Sequence, residues 1–144
     1  MDAMPNSYGV LNKVLDKQSE ISETINANQT FYVDPVSNQI IGKCDGIEAV
    51  KQTFEFLIAT RRGMHRCFTA NWGVDFRDLI GRPDDYIISE LLTRVQDAIK
   101  PDDRIISVDL NKDYPFEVNG DSILINFEVE TVFGTFESSL SVNK

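Results

Sequence analysis

The sequence predicts an α+β domain, with two main helices packed on a mostly antiparallel sheet that ends in a C-terminal β-hairpin. Three observations carry this reading. Apolar residues recur at helical spacing in two windows, Ile47 to Ile58 and Ile88 to Ile99. Ser122 to Val132 alternates faces, with Ile123, Ile125, Phe127, Val129 and Thr131 on one side. Turn residues bracket that run, Asn119-Gly120-Asp121 before it and Phe133-Gly134 after it.

A chain of 144 residues is long enough for a single domain with its own core. The reading divides it into a polar N-terminal arm, 1–29, rich in Asn, Ser, Glu and Gln, and a folded domain, 30–144. A net charge of -9 disfavours nucleic acid and anionic membrane as partners, because both carry the same sign. Met1 to Tyr8 has neither a basic start nor an apolar stretch, so no secretory signal is expected. No apolar run approaches the ~20 residues of a membrane span. Cys44 and Cys67 lack metal-type spacing and fit free thiols in a reducing cytosol.

The elements follow in order. Thr30 to Val33 and Gln39 to Lys43 read as strands joined by the turn chemistry of Asp34-Pro35-Val36-Ser37-Asn38. Asp45 starts the first helix, with Glu48 three residues on as a capping-box pair requires. Ile47, Val50, Phe54, Leu57 and Ile58 form its buried face, and it ends near Thr60, before Arg61-Arg62-Gly63. Met64 to Gly81 is irregular, with a tight turn at Asn71-Trp72-Gly73 and one or two helical turns in Val74 to Ile80. Pro83 opens the second helix as its first residue, followed by Asp84 and Asp85 in the first turn. Ile88, Leu91, Leu92, Val95 and Ile99 form the buried face, and Pro101 ends the helix. Strands are then expected over Arg104 to Leu110, Tyr114 to Val118, Ser122 to Val132 and Thr135 to Val142, the last as a half-polar sheet edge.

No set of residues reads as a catalytic constellation. His65 is the one histidine, and its neighbour Cys67 shares a face with it by strand geometry alone. Glycoside hydrolysis needs two carboxyl groups, one of them holding its proton. Asp84 and Asp85 are adjacent and diverge on a helix; Asp102 and Asp103 stand beside Arg104, which would strip the proton off. There is no phosphate-binding glycine loop and no metal-ligand cluster. Arg104 either ties the turn to its helix as a local ion pair or, with the two aspartates, is presented to a partner.

Five segments in a fixed order carry a resemblance: Asp45-Gly46-Ile47-Glu48-Ala49-Val50-Lys51-Gln52, Thr60-Arg61-Arg62-Gly63, Asn71-Trp72-Gly73-Val74-Asp75-Phe76, Asp78-Leu79-Ile80-Gly81 and Asp102-Asp103-Arg104-Ile105. With them the chain resembles the sheath-initiator or wedge component of contractile phage tails and phage-tail-like bacteriocins. That family includes PBSX-type prophage baseplate proteins and the type VI secretion homologue.

The resemblance implies a structural virion component with no catalytic residues, no cofactor and no metal. The family's Glu-Pro-Arg signature, in the turn after the second long helix, contacts the core bundle of the large wedge proteins. Here Asp102, Asp103 and Arg104 fall at those positions, with a shorter acid and with the proline moved to Pro101. The second implied contact is strand addition to the first ring of sheath protein, through Glu128, Glu130, Thr135, Phe136, Glu137 and Leu140. Inner-tube or tube-initiator proteins complete the implied partners. Synthesis in the bacterial cytoplasm and assembly into a tail baseplate follow. The other reading weighed is a baseplate-associated peptidoglycan hydrolase of lysozyme type.

Overall fold

A computed structural model describes residues 29–143. The expected N-terminal arm therefore lies outside the described residues up to position 28. The chain divides into two compact units within the first helix, between Ala49 and Val50.

The first unit carries an antiparallel hairpin of β1 (Thr30–Val33) and β2 (Ile40–Cys44), with Thr30 opposite Cys44 and Val33 opposite Ile40. Asp34 builds its turn: the carboxylate accepts from the backbone N–H of Ser37 at 3.1 Å and from the Ser37 hydroxyl at 2.7 Å. Asn38 closes it with φ 53°, a left-handed conformation that asparagine tolerates. Helix α1 (Gly46–Ala59) follows, its first N–H donating to Asp45 Oδ1 at 2.7 Å.

The second unit is the sheet and the helical faces that cover it. Strand β5 (Ser122–Thr131) is its centre. One side of β5 pairs along its whole length with β6 (Gly134–Asn143). The other side is shared: β3 (Ile105–Leu110) takes the C-terminal half of β5 and β4 (Phe116–Asn119) the N-terminal half. All these pairings are antiparallel. Between β3 and β4 the chain bows out over residues 111–115, where Asn126 Nδ2 donates to Tyr114 O at 2.8 Å.

Alternation along β5 puts Ile123, Ile125, Phe127 and Val129 wholly out of solvent. Opposite them stand Val142, Leu140, Ser138 and Phe136 of β6. Phe54 of α1 drives into this face. Its ring meets Phe127 edge-on at 6.3 Å and Phe136 edge-on at 5.8 Å. Val50, Leu57 and Ile58 are buried on the same helix, whereas Ile47 is half-buried.

Helix α2 (Asp84–Ile99) differs from expectation in two ways. Pro83 stands one residue before it, extended at ψ 146°, and its carbonyl accepts from Ile87 N–H at 3.0 Å. The buried stripe is rotated: Ile87 and Ala98 join Ile88, Leu91, Val95 and Ile99, while Leu92 is half-buried. Residues 87, 91, 95 and 98 form one track at helical spacing, so the covered face is centred nearer that track.

Truncating Phe54 to alanine removes a ring that touches two strands at once. Phe54→Ala should destabilise the domain by about 3–5 kcal/mol, seen as a lower urea midpoint with unchanged slope.

Candidate functional site

The charged turn after α2 is built by the helix's own exit. Lys100 keeps helical geometry, Asp102 N–H returns to Ile99 O at 2.9 Å, and Ile105 N–H returns to Asp102 O at 3.3 Å. This brings Arg104 over Asp102. The guanidinium forks onto the carboxylate, Nε to Oδ1 at 2.9 Å and Nη2 to Oδ2 at 2.8 Å, and Arg104 N–H adds a third bond at 3.0 Å. Arg104 Nη2 also reaches the Thr53 hydroxyl of α1 at 3.4 Å. Asp102 and Arg104 are only 23% and 24% exposed. Asp103 is the member of the trio that faces solvent.

Partial burial pushes the Asp102 carboxyl up, but the side-chain and backbone hydrogen bonds from Arg104 outweigh it. Its pKa lies below the ordinary value, the reverse of what a general acid needs. Arg104 therefore serves the fold first, as a tie from turn to helix; what the turn offers outward is Asp103.

The second candidate surface is the edge of the sheet. The residues singled out in sequence fall in different settings. Glu128 and Glu130 belong to β5, whose backbone is paired on both sides there. Phe136 is 8% exposed and lies in the core against Phe54. Leu140 is half-buried on the inner face; Thr135 and Glu137 are exposed on the outer face of β6.

Hydrogen-bond parity decides which amides of β6 are open. Thr131 and Gly134 close the hairpin across a two-residue turn, so this pair is hydrogen-bonded and bonding alternates from there. Phe136, Ser138, Leu140 and Val142 spend their backbone groups on β5. Thr135, Glu137, Ser139 and Ser141 direct theirs outward, and among the described residues no strand pairs with that side. The opposite edge is broken. On β3 the outward carbonyl of Val108 accepts Gln96 Nε2 of α2 at 2.8 Å, and β4 offers only four residues.

Between the helices, a clamp with no sequence signal holds the loop. Arg94 Nη1 and Nη2 bind Asp78 Oδ1 and Oδ2 at 2.7 and 2.8 Å, Nε binds Glu90 at 3.1 Å, and Nη1 reaches Asp75 O at 2.7 Å. This holds Asp78 down at about 2. Arg62 Nε donates to Gly73 O at 3.0 Å. Gly73 has φ 94°, and a Cβ there would strike the Thr60 carbonyl. Trp72 stacks on Phe68 at 5.6 Å, and His65 meets Phe68 edge-on. These contacts account for Asn71-Trp72-Gly73 as architecture. Among the described residues no three His, Cys, Asp or Glu side chains are placed to hold a metal, and no helix is long and apolar enough to cross a membrane.

Comparison with known proteins gives two findings. The family model described as the contractile injection system sheath initiator matches residues 18–134. The chain is also 30% identical over 123 residues to the phage-like element PBSX protein XkdS of Bacillus subtilis strain 168, covering 81% of this chain and 83% of that relative.

The Asp102 fork has a signed pH dependence. A carboxyl whose folded pKa is depressed stabilises the fold above its ordinary value, 3.8, and loses that contribution as the pH falls through the folded value. Asp102→Asn should cost about 1 kcal/mol at neutral pH, with the gap to the parent narrowing in urea titrations below about pH 4.

Proposed function

The chain belongs to the contractile injection system sheath initiator family, and from that premise we propose that it docks on the large wedge proteins of a tail baseplate and starts the sheath by strand addition along β6. It is made in the bacterial cytoplasm and acts as a structural part, not as an enzyme. The observation that carries this reading is the long open edge of the four-stranded sheet among the described residues. Among the described residues the ten of β6 pair only with β5, while the far edge is capped by Gln96 and interrupted at residues 111–115. Added strands gain affinity from main-chain hydrogen bonds and specificity from alternate side chains.

The wedge contact falls to the turn after α2. Asp102 and Arg104 are spent on each other and on Thr53, so they set the turn's shape, and Asp103 supplies the outward charge. The inner tube or its initiator adjoins the same assembly.

Both halves are testable. Removing β6 would also remove buried Phe136 and Val142, so a point block is the cleaner probe. Ser139→Pro deletes one outward N–H, and proline is tolerated on edge strands. It should leave baseplates intact but give tubes without sheath in electron micrographs; full-length sheaths would overturn the edge role. Asp103→Arg leaves the Asp102–Arg104 fork in place. It should cut recovery of wedge proteins in pull-downs at least about tenfold, equivalent to roughly 1.4 kcal/mol; undiminished recovery would remove the turn from the contact.

A further inference from the structure

The register of the sheet gathers negative charge at one point of the open edge. Asp109 of β3, Glu128 of β5 and Glu137 of β6 lie in a single row across the outer face. By the parity set at the Thr131–Gly134 turn, Glu128 and Glu137 form the non-hydrogen-bonded type of pair, in which side chains stand closest. Like charges directly opposite one another are unfavourable. Asn111 Nδ2 donates to Glu137 Oε1 at 2.9 Å, which satisfies one oxygen but leaves the charge. Lys51 and Lys112 line a concavity with Glu128 and Glu137, yet among the described residues neither lysine forms an ion pair with them. The row ends at β6, whose far side no strand pairs with among the described residues.

Glu137 is also the one charged residue of β6. Of the other outward-facing positions, Thr135, Ser139 and Ser141 are small hydroxyl residues that look alike to an arriving chain, and Asn143 stands at the strand's end. A one-residue slip of that chain would turn its apolar side chains to the wrong face. A two-residue slip would keep the faces right, and on the outer face Glu137 is the one charge that marks correct pairing.

We propose that the strand received by β6 carries a lysine or arginine opposite Glu137, and that this cation fixes its register. The inference rests on the edge-docking reading above and adds to it the chemistry of the partner. The cation completes a fourth column beside Asp109, Glu128 and Glu137, replacing repulsion that the free protein carries with attraction in the complex. A neutral or acidic residue at that position would meet the end of an uncompensated row.

The test uses the full-length protein, exchanged for its variants in particle-producing cells, with sheathed tubes counted by electron microscopy. Glu137→Gln should lower the count about fivefold and Glu137→Lys at least about tenfold, with baseplates in normal number. The purified variants should melt no lower than the parent, because the row has lost a like charge. If the lysine variant fails to fold, Glu137→Gln, which keeps an acceptor for Asn111, decides. Sheath subunits with one lysine or arginine of the docking strand changed to glutamate should restore sheaths to Glu137→Lys. Normal sheath counts in both Glu137 variants, with Ser139→Pro still abolishing sheaths, would overturn the register mark and leave edge docking standing. Normal sheaths in Ser139→Pro would remove both.

Discussion

Strand β5 is the member on which the rest of the second unit depends. It is paired on both sides and its inner face is closed by α1, so its four innermost side chains lose all contact with water. Phe54 is the point of closure. One ring against Phe127 and Phe136 joins helix, central strand and edge strand, and edge-on aromatic pairs add to the gain from burial alone. Because β6 is held by its inner face and by one row of amides, its other row takes no part in the sheet among the described residues.

Arginine performs the same task at two sites of this unit. Arg94 binds Asp78, Glu90 and a loop carbonyl, and Arg104 binds Asp102 while touching α1. Both use the planar guanidinium fork, which matches a carboxylate in two bonds. These forks tie irregular segments to helices, where hydrophobic burial is scarce. In the acidic turn this means that two residues expected to meet a partner are first of all internal struts.

Much of the architecture was legible because it rests on local periodicity. The strict alternation of β5 and the Asn119-Gly120-Asp121 turn are local facts, and both appear in the structure. The rotated stripe of α2 was not, because Ile87 and Leu92 are equally apolar and only tertiary packing chooses between them. Phe136 illustrates a different gap. The run Glu137-Ser138-Ser139-Leu140 alternates weakly, so its faces are set by register through the two-residue turn, which opposes Phe136 to Val129. The Arg94–Asp78 fork joins residues 16 apart and leaves no pattern in sequence. The Asp102–Arg104 pair, by contrast, was visible as adjacency; its outcome as an internal strut required the geometry.

Among the described residues the two borders of the four-stranded sheet are unequal. A protein with two equally open borders is a link: copies add at both sides and a fibre grows. Here the far border is sealed at Val108 by Gln96 and broken by a bow before a four-residue strand, which leaves the β6 border as the longer of the two among the described residues. On the edge-docking proposal, such a subunit would head a row and not sit within one. On the same proposal, a subunit of that kind would set where a polymer begins and in which direction it extends.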